Sequence, residues 1–285
     1  MSKNNSVLPP CAYQGGKQRL AGQLFDCMSD WCNIDSNTTF YDLCCGSGAV
    51  TVEGVQNRGI KPANVYMYDV SPWGAFYQSI GDATFDLNVF RRYINSVPEN
   101  KALIQEFMQD LWKTGAAEDE VYKFILLQAA AFGSKPILSE GGVFKPTSFR
   151  SYWLPKEGCN RKSPVNPMHP SADTIYERVV ELSKCLKGVH AYREDVRNVL
   201  HRGIKPNSVI YIDPPYKATT GYGNTVDVDV FIRELREITT APIFISEARE
   251  MQGCLGIKLK FSKDKGGISG KRKVRIDEYL NVFML

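Results

Sequence analysis

The sequence lacks an apolar run of the ~18 residues that a membrane span requires. Residues 1–10 are polar and carry prolines, without the apolar centre of a secretory signal. A cytoplasmic protein with no membrane partner is the expectation. Metal-ligand spacing is also missing. Eight cysteines stand at 11, 27, 32, 44, 45, 159, 185 and 254 with no CxxC among them, and there are three histidines, His169, His190 and His201. That pattern argues against a structural zinc site, and no metal is expected. Cys44 and Cys45 adjoin inside an apolar run, which suits buried reduced thiols better than a disulfide. Internal repeats and low-complexity tracts are absent. An excess of one charge is scarce too: 35 Lys plus Arg against 31 Asp plus Glu leave only +4. With 285 residues, 43% hydrophobic and 23% charged, the chain is not disordered, collagen-like or a coiled coil. It is long enough for a substantial core in one large domain or two modest ones.

Strands and helices alternate at both ends of the chain. Residues 38–45 (TTFYDLCC), 64–69 (NVYMYD), 189–193, 208–213 (SVIYID) and 242–246 (PIFIS) are short apolar strand candidates. A helix follows Gly46-Ser47-Gly48 to about residue 57, and Ser71 can cap a helix that starts at Pro72. This alternation predicts an α/β fold with a parallel sheet covered on both faces. Residues 255–261 and 278–283 read as a terminal antiparallel pair joined by a polar loop. In the middle, 85–96, 101–114, 118–132 and 171–187 have helical apolar spacing. Residues 133–170 are rich in Gly, Pro, Ser, Lys and Arg with aromatics interspersed, which is too long for a simple connector. The expected division is a catalytic domain of residues 1–84 and 185–285, interrupted by a functional insertion at 85–184.

The small net charge is unevenly spread. Residues 255–275 hold eight cations, among them Lys271, Arg272 and Lys273, against the single acid Asp264. Within the insertion, residues 145–162 add Lys145, Arg150, Lys156, Arg161 and Lys162 against Glu157. Cations interleaved with aromatics suit phosphate contact and base stacking, although a solvated loop has the same composition.

Asp213-Pro214-Pro215-Tyr216 follows a strand, so its carboxylate falls at a strand's C-terminal end, where open α/β sheets bind ligands. The prolines fix the backbone after Asp213. A carboxylate, a rigid carbonyl and an aromatic ring form a clamp for a flat amino-bearing group. The alternative is a strand-ending proline turn with an aromatic lid. Gly46 and Gly48 permit a tight turn and close approach of a ligand, as in many nucleotide folds. Asp69 ends the next strand and either caps a helix or accepts hydrogen bonds from ribose hydroxyls. Gly15-Gly16-Lys17, after Tyr13, is a third flexible turn, and it bears a cation.

Together, AYQGGKQRL (12–20), YDLCCGSGAV (41–50), YMYDVS (66–71), YIDPPY (211–216) and GGISGKRKVRIDEYLNVF (266–283) resemble the Dam-like N6-adenine DNA methyltransferases of bacteria and phages. Their order is similar to the alpha group of that family, with donor motifs first, the target-recognition insertion next and DPPY last. The resemblance implies a Rossmann-like class I methyltransferase sheet with a mostly helical recognition insertion carrying a β-hairpin. It implies S-adenosylmethionine as cofactor, double-stranded DNA as partner, and methyl transfer to N6 of a flipped-out adenine. Tyr13, Lys17, Cys44, Gly46, Gly48, Asp69, Asp195 and Asp213 would line the donor pocket, with Asp69 on the ribose and Asp195 on the adenine. Asp213, Pro214, Pro215 and Tyr216 would be catalytic, with Tyr216 stacking on the target base.

DNA contacts would come from Ser134, Lys135, Ile137, Phe144, Lys145, Arg150, Lys271, Arg272 and Lys273. Residues 132–144 (FGSKPILSEGGVF) resemble the family's DNA-reading hairpin. Relatives that read GATC carry an Arg where Ile137 stands, so the resemblance does not extend to that site. The family commonly has Phe at the position of Cys44. N4-cytosine methylation and a catalytically idle, donor-binding DNA-binding protein are the competing readings. Asp213 in place of Ser leans towards adenine.

Overall fold

The computed structural model describes residues 6–114, 119–138, 149–160, 162–214, 227–259, 263–265 and 274–284, with only the backbone at 263–265 and 274–276. The apolar runs form strands β1 (Thr39–Leu43), β2 (Val65–Tyr68), β3 (His190–Tyr192), β4 (Ser208–Ile212), β5 (Ile243–Glu247) and β6 (Leu255–Lys258). Strands β7 (Lys263–Lys265) and β8 (Val274–Ile276) pair with each other, and β9 (Tyr279–Phe283) returns to the main sheet. Every residue of β1, β2 and β4 is buried, as expected of strands covered on both faces.

The main sheet has the order β3-β2-β1-β4-β5-β9-β6. Strands β1 to β5 pair in parallel, while β9 runs antiparallel to both β5 and β6. This is the Rossmann-like class I methyltransferase sheet that the motif order implied. The strand order reverses between β1 and β4, so their C-terminal ends flank a topological switch point. The terminal strands are antiparallel neighbours as the sequence suggested, but the β7–β8 pair interrupts the connection between them.

Alternation along each strand divides the core. Phe40, Val65, Met67, Val209, Tyr211 and Phe244 face one cluster. Tyr41, Leu43, Tyr66, Tyr68, Ile210 and Ile212 face the other. The first cluster is covered by α1 (Ala21–Ser29), α2 (Ala49–Asn57), α3 (Pro72–Gly81) and α7 (Ala172–Cys185). Ser71 caps α3, accepting from the Trp73 N–H at 3.3 Å, with Pro72 in the first turn. The second cluster is covered by α8 (Asn198–Arg202) and the amphipathic α9 (Val228–Ile238).

Three helices of the middle region, α4 (Leu87–Ser96), α5 (Ile104–Lys113) and α6 (Glu120–Ala130), join the first cluster. Asp86 caps α4, accepting from Asn88 N at 2.7 Å and Val89 N at 3.2 Å. Helix α6 is buried from Tyr122 to Ala130, and Phe124 meets Trp73 of α3 edge-on at 5.1 Å. The middle helices thus continue the hydrophobic core of the sheet. Of the recognition hairpin expected at 132–144, residues 132–138 are described and begin with a short helical turn at Phe132–Ser134, whereas 139–144 lie outside the described residues. Among the described residues, no helix is long and apolar enough to cross a membrane.

Candidate active site

The turn after β1 is held by left-handed backbone at Cys44 (φ 68°), Gly46 (φ 50°) and Gly48 (φ 72°). Cys45 N–H donates to the Tyr68 carbonyl at 3.0 Å, and Gly48 N–H to the Cys45 carbonyl at 2.9 Å. A Cβ on Gly48 would stand 2.5 Å from the Tyr77 hydroxyl, which donates to the Ser47 carbonyl. Close packing against α3, not ligand access alone, therefore requires this glycine. At Gly46 a Cβ would lie 3.4 Å from the Tyr13 ring. Tyr13 in turn meets Trp73 edge-on at 5.7 Å. The N-terminal turn, the glycine turn and α3 thereby form one wall.

Asp69 follows β2 and faces the glycine turn. Its Oδ2 accepts from Gly46 N–H at 2.8 Å and its Oδ1 from Ser71 N–H at 2.8 Å. Burial raises its carboxyl above the ordinary range, although the hydrogen bonds from Ser71 and Gly46 oppose the shift. Each carboxylate oxygen can accept a second hydrogen bond. A carboxylate beside a glycine turn, with Tyr13 over Gly46, is chemically suited to a nucleoside bearing a ribose diol.

Across the switch point, Asp213 N–H donates to the Leu43 carbonyl at 3.1 Å, which fixes Asp213 beside the end of β1. Its Oδ1 lies 2.5 Å from Lys17 Nζ, and Glu278 Oε1 lies 3.3 Å from the same nitrogen. Lys17 Nζ also donates to the Gly15 carbonyl at 3.2 Å. Both Lys17 and Glu278 are 3% exposed. Burial alone would lower the lysine's pKa, but the Asp213 and Glu278 carboxylates outweigh it, and the net shift is upward. Lys17 is therefore an ammonium in a buried ion cluster. The Asp213 side chain keeps 18% of its surface exposed and is the most accessible member.

Asp42, inside β1, accepts from Thr51 Oγ1 at 2.7 Å. Burial pushes its carboxyl up to about 7 against that hydrogen bond, and the charges of Asp213 and Asp69 add to the shift. Asp195, after β3, binds Arg197 through both oxygens, at 2.9 Å to Nε and 2.6 Å to Nη2. Its charge reaches Cys44, whose thiol is raised first by burial and then by the surrounding carboxylates.

The remaining expected residues divide. Pro214 is buried beside Asp213, whereas Pro215 and Tyr216 lie outside the described residues. Phe144, Lys145, Lys271, Arg272 and Lys273 also lie outside them. Lys135 is exposed beside the turn at 132–134. The Ser134 carbonyl accepts from Gln14 N–H at 2.8 Å, joining this turn to the N-terminal segment. Arg150 is half-buried, its Nη2 3.3 Å from Ser134 Oγ and its Nη1 3.5 Å from the Ala129 carbonyl. Ile137 corrects the sequence reading: at 1% exposure it belongs to the hydrophobic core and has no surface to offer a base. Its apolar side chain is more stable packed there than on a wet face.

Glu278 and Asp42 were not foreseen as site residues. Asp42 had a signal, a lone acid in an apolar strand. Glu278 had none beyond its place before the last strand.

No family model matches the chain. Over 53 residues it is 42% identical to the Type II methyltransferase M.VspI of Vibrio sp. (strain 343). The matched stretch is 19% of this chain and spans 12% of the length of that relative.

Proposed function

We propose that this chain transfers a methyl group from S-adenosylmethionine to the exocyclic N6 of an adenine flipped out of double-stranded DNA. The observation that carries the reading is Asp213. It stands at the C-terminal end of β4, clamped by Lys17 and partly exposed, across the switch point from the glycine turn. The class I methyltransferase sheet supports it, and so does the short likeness to a protein named a Type II methyltransferase.

Asp69, Gly46, Gly48 and Tyr13 fit the donor, with Asp69 taking the ribose hydroxyls. Asp195 would take the donor's adenine. When bound, S-adenosylmethionine supplies an electrophilic sulfonium methyl. The chain's task is then alignment and electrostatics. The N6 lone pair is delocalised into the adenine ring, so the amine is a poor nucleophile. Hydrogen bonds from its two N–H groups to the Asp213 carboxylate and the Pro214 carbonyl favour a pyramidal nitrogen and stabilise its growing positive charge. The Lys17 contact at Oδ1 leaves room, because a carboxylate has about four acceptor sites. A base inside a duplex cannot reach this position, so it is flipped out, with Tyr216 as its new stacking surface.

Residues 85–184 act as the recognition insertion. The half-buried Ser134 and the exposed Lys135, together with the basic segment at 271–273, would contact DNA. Single-molecule modification mapping of DNA from cells expressing the protein tests the reading. N6-methyladenine in one short sequence context is expected. N4-methylcytosine would overturn the adenine assignment. Unmodified DNA together with tight DNA binding would favour the idle binding protein.

A further inference from the structure

We infer that Glu278 is a positioning residue, holding the Lys17 ammonium so that Lys17 in turn fixes the Asp213 carboxylate. The inference rests on the role proposed for Asp213. The acceptors around Lys17 Nζ include Gly15 O at 3.2 Å, Asp213 Oδ1 at 2.5 Å and Glu278 Oε1 at 3.3 Å. An ammonium has three donors, so this set fixes its position from three separate parts of the chain. Without Glu278 the long lysine stem would lose one of these anchors.

The fold explains why residue 278 can reach this point. Strand β9 runs antiparallel to β5, with Tyr279 opposite Glu247, the last residue of β5. The residue before Tyr279 therefore enters at the end of the sheet where β4 and β5 finish. Its carboxylate arrives 3% exposed on a lysine that is itself 3% exposed.

Stability does not account for a second carboxylate here. Neutralising one buried ammonium takes one carboxylate, and Asp213 supplies it. A further buried charge adds desolvation cost that its attraction to Lys17 has to offset. Glu278 also adds a second negative charge beside Lys17. That favours the positive charge growing on the target nitrogen, which is an advantage during reaction rather than in folding.

The test compares Glu278→Gln with Glu278→Asp in transfer of labelled methyl groups to DNA, alongside Asp213→Ala. Glu278→Gln keeps the shape and removes the charge, whereas Glu278→Asp keeps the charge and shortens the chain. A positioning role predicts that Glu278→Gln lowers kcat about tenfold while KM for DNA and for the donor change less than about threefold. It also predicts that Glu278→Asp recovers kcat to within about threefold of wild type. A packing role predicts the reverse order, because Gln fills the site and Asp leaves a gap. That order overturns the inference, as does an unchanged kcat in Glu278→Gln. A Glu278→Gln protein that fails to fold would make Glu278 a structural residue and also overturn it. Asp213→Ala separates the two levels. If it stays active, the function itself is wrong; if it is dead while Glu278→Gln is normal, only the role of Glu278 falls.

Discussion

Replacing Asp42 by Asn should flatten the dependence of stability on pH. Asp42 is 1% exposed within β1, and burial pushes its carboxyl from an ordinary value of 3.8 up to about 7. Because the folded pKa lies above the unfolded one, the native state favours the protonated form. The stabilising contribution is fully present below about pH 4 and is lost as pH rises through about 7. At about 1.4 kcal/mol per pH unit in that window, the loss between pH 5 and pH 8 comes to roughly 2–3 kcal/mol. Asn keeps an acceptor for the Thr51 hydroxyl and does not titrate. Asp69, which is also raised by burial, and Lys17 remain in both proteins, so their contributions largely cancel. Urea unfolding of wild type and Asp42→Asn at pH 5 and pH 8 measures the effect. The stability difference should move by about 2–3 kcal/mol in favour of the variant at the higher pH. Parallel pH curves for the two proteins would refute the reasoning, and would mean that Asp42 is ionised in the native state or that water reaches it.

Three further outcomes are expected. Gly48→Ala should lower stability by about 2–4 kcal/mol, from left-handed backbone strain plus displacement of the buried Tyr77 hydroxyl; thermal unfolding within a degree of wild type would contradict it. Asp213→Ala should abolish methyl transfer while gel-shift affinity for DNA stays within about threefold, since Asp213 is assigned to the reacting amine and not to the duplex. Charge reversal at Lys271 and Arg272 should weaken binding to all DNA sequences and reduce the salt slope by about 2; an unchanged slope would make the segment a solvated loop.

The parts of the fold that depend on local chemistry were visible in the sequence. Apolar runs such as 208–213 become strands, and Ser71-Pro72 starts a helix because a hydroxyl cap and a fixed φ act within one turn. Helices α1, α8 and α9 went unread, although α9 has a regular apolar stripe and its cap Asp227 accepts from Val230 N–H at 3.2 Å. Of the candidate site, the placement of Asp69 and Asp213 at strand ends was legible. Its electrostatics were not. Lys17 was expected to line the donor pocket, and the sequence did not foresee that its nitrogen lies on Asp213 and Glu278. Those contacts join the first turn of the chain to two distant strands, and no spacing rule encodes them. Ile137 shows the opposite limit: position in an aligned motif suggested a base contact, while an apolar side chain beside a buried helix went to the core.

The position of β9 has a consequence for how the protein is made. This strand, the last described in the chain, sits between β5 and β6 and brings Glu278 with it. While the chain emerges from the ribosome, β5 has an open edge and β6 has no neighbour until residues 279–283 arrive. Lys17, made before them, waits without the Glu278 carboxylate. A nascent chain that has not reached residue 278 would therefore hold most of its core and yet lack this carboxylate on Lys17. On the proposed role of Glu278, the lysine is held from all three sides only after residue 278 has been added.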